Sequence, residues 1–260
     1  MPYHLKLARW AANGQIHSGT FHDGLLKSSD GTEHNPETVV WLPPNEPKKV
    51  IGIALNFADH AKELNLAKPE LPAIFLKPHT SLVGHKANVL MPPKTEYMHY
   101  EAELVAIIGT RCRNLKAKYA MNVISGFTIG NDVTIRDHIG PYFRPPLIGK
   151  GWDTFGPVGP WIVTADHFTR TDNISLKTYV NGELRQSGTT SDLIYSIAEM
   201  IEYCSMIMTL EEGDQIWTGT PAGLSHVYPG DVMRVEIEGI GALENTVVQG
   251  NQELSPLLGK

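Results

Sequence analysis

Apolar and polar positions alternate with a period near two over the first 45 residues and again at 232–237, the pattern of half-buried strands. Leu5, Leu7 and Arg9-Trp10 lead to Gly14, and residues 15–21 then run to Gly24, which predicts a small hairpin. Pro43-Pro44-Asn45-Glu46-Pro47 follows. Paired prolines continue neither a ladder nor a helix, so a boundary is expected there between a small N-terminal β region, residues 1–45, and a main domain, residues 46–260. Beyond it, the apolar runs at 50–55, 73–77, 103–108 and 123–132 read as strands. Asn56, with Asp59 three residues on, has the spacing of a capped helix start. The period changes to 3.6 over residues 190–206, where Leu193, Ile194, Ile197, Met200, Ile201 and Cys204 share one face; Thr190 or Ser191 is the expected cap. Gly213-Asp214 and Gly230-Asp231 each place a turn before a strand, and Gly239-Ile240-Gly241 punctuates two more at 232–237 and 242–248. Many short strands with few helices predict a β-rich α+β fold, since a parallel βαβ series needs far more helix.

Composition adds exclusions. Hydrophobic residues make up 42% and charged residues 19% of the 260, an ordinary globular balance. Net charge is −6, and the one basic cluster, Arg111, Arg113, Lys116 and Lys118, reads as a solvated loop, so no nucleic-acid partner is expected. No run approaches the ~18 apolar residues of a membrane span. The start, Met1-Pro2-Tyr3-His4-Leu5-Lys6, lacks the parts of a signal peptide. Two distant cysteines, Cys112 and Cys204, suit a reducing compartment, and the expected location is the cytoplasm.

The chemistry concentrates in three places. His99-Tyr100-Glu101-Ala102-Glu103-Leu104 leads into an apolar strand, where residues two apart share a face, so Glu101 and Glu103 project together. Paired carboxylates take up protons unless a cation lies between them. Asp132 adds a third carboxylate inside an apolar run, where an unpaired charge is costly. Three converging carboxylates make a hard-oxygen site for Mg²⁺ or Mn²⁺; an edge strand with two exposed glutamates and an unrelated turn aspartate fits the same spacing. His60 and Glu63 lie one helical turn apart and can hydrogen-bond, a pairing that suits proton transfer but also an ordinary exposed turn. Lys150 sits between Gly149 and Gly151, as on a flexible loop. Arg136 and Arg144 can pair bidentately with a distal carboxylate, or Arg136 with Asp137. His79, His85 and His99 have no ligand spacing and read as structural.

From about residue 50 to 248 the chain resembles the fumarylacetoacetate hydrolase family. The resemblance rests on Tyr97-Met98-His99-Tyr100-Glu101-Ala102-Glu103-Leu104, Gly130-Asn131-Asp132-Val133-Thr134-Ile135-Arg136-Asp137 and Lys150-Gly151-Trp152-Asp153-Thr154-Phe155-Gly156-Pro157. Val180-Asn181-Gly182-Glu183, Thr218-Gly219-Thr220-Pro221 and Glu238-Gly239-Ile240-Gly241 follow in order. It implies a mixed β-roll, a homodimer, and a Mg²⁺, Mn²⁺ or Ca²⁺ ion on Glu101, Glu103 and Asp132. It also implies a lid carrying His60 and Glu63, a substrate oxygen held by Lys150, and a substrate carboxylate bound by Thr220. Leu55-Asn56-Phe57-Ala58-Asp59-His60, Tyr142-Phe143-Arg144-Pro145 and Asn181-Gly182-Glu183-Leu184-Arg185-Gln186 resemble one branch of the family. That branch decarboxylates 5-oxopent-3-ene-1,2,5-tricarboxylate and isomerises 2-hydroxyhepta-2,4-diene-1,7-dioate through an enolate. The segment 150–157 has the form that acylpyruvate hydrolases share, so hydrolysis of an acylpyruvate or fumarylpyruvate is the alternative, and a non-catalytic metal-binding scaffold a third. The expected partner is a small 2-oxo acid.

Overall fold

The alternating segments become strands, as the period-two pattern requires. The computed structural model describes residues 5–63, 70–138, 146–168 and 170–252. The N-terminal strands are β1 (Lys6–Ala12), β2 (Gln15–His22), β3 (Leu25–Ser28), β4 (Glu33–His34) and β5 (Val40–Trp41). Next come β6 (Val50–Ala54), β7 (Ala73–Lys77), β8 (Leu82–Val83), β9 (Asn88–Met91), β10 (Met98–His99), β11 (Ala102–Ile108), β12 (Ile124–Asn131) and β13 (Thr134–Ile135). The last are β14 (Gly156–Thr164), β15 (Ser175–Val180), β16 (Glu183–Thr189), β17 (Gln215–Trp217), β18 (Val232–Ile237) and β19 (Gly241–Gln249). Three helices, α1 (Ala58–Glu63), α2 (Leu147–Lys150) and α3 (Ile197–Ile207), complete the described elements apart from short 3₁₀ turns.

The large sheet runs β4-β3-β2-β1-β14-β12-β11-β17-β6-β7, with β5 and β8 attached to its side. A second sheet runs β16-β15-β18-β19-β9, and β10 pairs with β13. Most pairs are antiparallel; β17–β6, β14–β8 and β19–β9 are parallel, which makes the sheets mixed. The β1–β2 hairpin turns on Asn13-Gly14, both at positive φ (52° and 74°), the chemistry a two-residue hairpin needs. Through the β1–β14 pair, the N-terminal strands extend the sheet that carries β11 and β12.

β11 is buried along its whole length, so it reads as a continuous apolar run after Glu103. Leu104, Ala106 and Ile108 share a cluster with Met200, Ile201 and Cys204 of α3, while Val105 and Ile107 pack with Trp217 and Val50. Each leucine, isoleucine, valine or methionine among them stabilises the fold by about 1.5–3 kcal/mol relative to exposure. By parity, Glu101 and Glu103 lie on the Trp217 side.

Two helix starts differ from expectation. α3 begins at Ile197, and its cap is Ser196, whose hydroxyl accepts from Glu199 N–H while the Glu199 carboxylate accepts from Ser196 N–H. Thr190 and Ser191 instead form a 3₁₀ turn with Asp192. Leu193 and Ile194 are held by tertiary partners: Leu193 bridges to Phe57, and Ile194 N–H donates to the Asn56 carbonyl. Asn56 is turned from capping for the same reason. Its side chain donates to the carbonyls of Tyr195 (3.1 Å) and Thr218 (2.9 Å) and accepts from Tyr195 N–H (2.9 Å), stitching the start of α1 to the approach of α3. No helix among the described residues is long and apolar enough to cross a membrane.

Candidate active site

The antiparallel β11–β12 pair sets the geometry. Asp132 N–H donates to the Glu101 carbonyl at 2.8 Å, placing Asp132 beside Glu101 at the ends of adjacent strands. Glu101, Glu103 and Asp132 are all buried, and each offers a carboxylate oxygen within 4.8 Å of the others. Glu103 Oε2 also accepts from Gly219 N–H at 2.9 Å. Gly219 has φ +92°, and a Cβ there would stand 2.9 Å from Asn56 Cβ, so only glycine fits.

Two lysines oppose the carboxylates. Lys150 Nζ donates to Glu101 Oε2 (2.8 Å), Asp132 Oδ2 (2.6 Å) and Thr134 Oγ1 (2.8 Å). Contrary to the flexible loop expected from its glycine neighbours, Lys150 ends α2 and is 7% exposed. Lys77 Nζ donates to Asp132 Oδ1 at 2.6 Å, to the Phe155 carbonyl at 3.3 Å and to the Lys150 carbonyl. In the sheet, β7 and β12 are separated by β11, β17 and β6. Lys77 therefore reaches Asp132 only because the sheet curls over, and its ammonium passes 5.9 Å from the Trp217 ring centroid. Pattern reading missed Lys77, Thr134 and Gln186; the available signal was a lysine closing the apolar stretch Ile74-Phe75-Leu76, and a buried lysine is almost always paired.

The charges sort by position. Burial pushes Glu101 up, but the Lys150, His99 and His60 charges more than reverse this and hold it down at about 2. Glu103 is pushed well above the ordinary range by burial and then by Asp132 and Glu101. Lys150 is lowered by burial and raised further by Asp132 and Glu101, ending above its usual range. Burial dominates at Lys77 and lowers it despite Asp132. His99 lies behind the cluster, its Nδ1 3.7 Å from Glu101 Oε1, and burial lowers it to about 4.

α1 carries the next pair. His60 Nδ1 and Glu63 Oε2 are 3.0 Å apart, and His60 is buried. Glu63 Oε1 accepts from Gly223 N–H (3.0 Å) and Asp59 Oδ2 from Ala222 N–H (3.2 Å), which fastens α1 to the loop after Thr220. The turn into α1 runs through Leu55 at φ +55°, an uncommon conformation for leucine. Thr220 is buried and accepts from Gln186 Nε2 at 2.9 Å.

A cavity of about 190 Å³ brings these groups together: His60, Glu101, Glu103, Asp132, Arg136, Lys150 and Thr220 line it, with Ile53, Leu55 and Phe75 as apolar wall. Glu63 is not in the wall; it stands behind His60. Arg136 faces the cavity, whereas Asp137 accepts from the N–H groups of Glu96 and Tyr97. Arg144, and with it Tyr142, Phe143 and Pro145, lies outside the described residues, as do residues 64–68, which continue the segment expected to act as a lid. Three carboxylates face two lysines, and the all-oxygen donor set of Glu101, Glu103 and Asp132 fits a hard divalent cation.

Residues 49–248 match the family described as fumarylacetoacetate (FAA) hydrolase C-terminal. The chain belongs to that family. It is 45% identical over 212 residues to a 4-hydroxyphenylacetate degradation bifunctional isomerase/decarboxylase of Salmonella dublin, a match that covers 82% of this chain and 49% of the relative. The chain thus spans about half the length of that relative. The fumarylacetoacetate hydrolase fold is also found in 5-carboxymethyl-2-hydroxymuconate delta-isomerase from Mycobacterium smegmatis. That structure is 37% identical, with TM-score 0.85, over 95% of this chain and 100% of the other. Maleylpyruvate hydrolase from Sphingobium sp. SYK-6, solved with manganese(II) ion and pyruvate, is 28% identical with TM-score 0.82, over 95% and 100%. Named members of the family that this chain resembles are thus isomerases, decarboxylases and hydrolases of small molecules.

Proposed function

We propose that this protein is a divalent-metal-dependent decarboxylase and isomerase of an unsaturated 2-oxo di- or tricarboxylate, of the homoprotocatechuate type. The observation that carries the proposal is buried His60, backed by Glu63 and set in the wall of the same cavity as Glu101, Glu103 and Asp132. Those three carboxylates would hold the ion, Mg²⁺ in the first instance. When bound, the ion supplies positive charge that draws electrons from the 2-oxo group of a substrate.

The chain's own residues divide the remaining work. Glu63 orients His60 by taking its Nδ1–H, which leaves Nε2 to lift a proton from one carbon and return it to another. Lys150, kept charged by Glu101 and Asp132, supports the oxygen on which negative charge develops. Thr220 and Arg136 receive carboxylates, with Arg144 proposed as a further contact. The apolar wall of Ile53, Leu55 and Phe75 thins water around the reacting carbons.

The test is a panel of 2-oxo diacids and acylpyruvates given to Mg²⁺-loaded protein, with products identified by mass spectrometry. His60→Ala should lose isomerisation by about 10²–10⁴ while retaining CO₂ release, because loss of CO₂ supplies its own electrons and needs no base. Equal loss of isomerisation and CO₂ release in that variant, or acylpyruvate cleavage by the native protein far faster than its CO₂ release, would replace this reading with a hydrolase. The similarity to maleylpyruvate hydrolase supports that alternative.

Two further proposals concern organisation. Residues 1–45 form the small N-terminal region and 46–260 the catalytic one; Pro43, Pro44 and Pro47 fall between β5 and β6. The working form is a cytoplasmic homodimer. Exposed Leu147 (54%), Ile148 (48%) and Leu90 (37%) give a second copy an apolar surface, which light scattering tests.

A further inference from the structure

Gln186 is 1% exposed, and its side chain hydrogen-bonds to none of the carboxylates or lysines of the cluster. A bulge sets its place: β15 and β16 are paired at Thr178 and Gln186 but shifted by one at Tyr179 and Leu184, so Arg185 is the extra residue. The direction of the Gln186 amide follows from partners that have only one role. Oε1 accepts from the Ala102 backbone N–H at 3.2 Å, a group that can only donate, and from the Thr178 hydroxyl at 2.8 Å. Nε2 donates to the Pro221 carbonyl at 2.7 Å, a group that can only accept. The second Nε2 hydrogen therefore goes to Thr220 Oγ1 at 2.9 Å. A hydroxyl that accepts on that side turns its own hydrogen elsewhere. No acceptor among the described residues takes it, and Thr220 faces the cavity.

We infer that Gln186 is a positioning residue that locks the Thr220 hydroxyl as a hydrogen-bond donor into the cavity. The cavity then selects an anionic oxygen at that point and rejects a group that itself donates. Through Ala102, the residue between Glu101 and Glu103, the same amide ties this donor to the carboxylate strand at a constant offset. The inference rests on the proposal that Thr220 receives a carboxylate.

Calorimetry of oxalate binding to the Mg²⁺-loaded full chain tests it, comparing the native protein with Gln186→Met, Thr220→Val and the double variant. Each single change should weaken oxalate by about ten- to a hundredfold, the usual loss for one hydrogen bond to a charged group. The double variant should bind no more weakly than Thr220→Val, because Gln186 acts through that hydroxyl. Additive losses would overturn the role of Gln186 and leave the carboxylate reading of Thr220 standing. Unchanged oxalate affinity in Thr220→Val would overturn both. Should Gln186→Met fail to fold, neutron diffraction of the native protein decides the matter. A Thr220 deuterium directed into the cavity supports the inference, and one directed at Gln186 removes it.

Discussion

Replacing Lys77 by Met isolates the one buried charge that pattern reading passed over. Methionine is close to lysine in length and flexibility, so the cavity left behind is small. The main loss is the partner of Asp132: Lys77 Nζ stands 2.6 Å from Oδ1, with both side chains 1% exposed. Removing one member of a buried pair costs about 3–5 kcal/mol. Asp132 keeps Lys150 at 2.6 Å, so the lower end, about 3 kcal/mol, is the expected figure. For a chain of this size that corresponds to a Tm lower by about 6–10 °C. Mg²⁺ would return positive charge to the same carboxylate, so the deficit should be smaller by about 1–2 kcal/mol at saturating Mg²⁺. Urea unfolding of both proteins, with chelator and with Mg²⁺, measures both quantities. A deficit below about 0.5 kcal/mol, or one of equal size in the two conditions, would refute the role given to Lys77.

Asp132→Ala should abolish turnover and weaken Mg²⁺ by more than the about 10–100-fold typical of losing an outer partner of a metal ligand; unchanged affinity by calorimetry would remove the site. Backbone amides from Phe57 to Glu63 should exchange more slowly with Mg²⁺ plus oxalate than without, and equal exchange would mean that α1 is a fixed element. Burial, with Lys86 adding to it, holds His85 down at about 4, and its Nδ1 accepts from Glu244 N–H at 3.0 Å, a bond that protonation destroys. The unfolded chain takes that proton near pH 6.5, so this stability is complete above pH 6.5 and drains as pH falls toward 4, by no more than about 3 kcal/mol. In His85→Gln the pH profile of urea unfolding should flatten over that window; parallel profiles would dismiss the effect.

The carboxylates were legible because a strand's period puts Glu101 and Glu103 on one face, and because the surrounding motif resembles a known family. β3–β5, β8–β10 and β13–β16 were passed over, whereas β1 and β2 were legible as a hairpin turning at Gly14, β6, β7, β11 and β12 as apolar runs, and β17–β19 from the glycine turns around them. Lys77 was not, since its partner lies across three strands and nothing local marks the curl that joins them. Ser196 was passed over although Ser196 and Glu199 have capping-box spacing. The apolar period carried on through Leu193 and Ile194, which are half-buried and whose backbones pair with Phe57 and Asn56 outside the helix. Asn56 failed as a cap for the reciprocal reason: a buried amide follows the partners that satisfy it, and those came from residues 195 and 218.

β6 and β17 run parallel and β11 runs against them, so the chain leaves the first two strands at the same rim where it enters the third. Glu101, Glu103 and Asp132 are rooted in the strand ends, whereas α1, with His60 and Glu63, and the turn after Thr220 lie outside the ladder hydrogen bonds. Insertions or replacements in those segments leave the strand register and the three-carboxylate spacing untouched. A lineage can thus exchange one substrate for another by editing the rim alone, which is a structural reason for isomerases, decarboxylases and hydrolases to share this sheet.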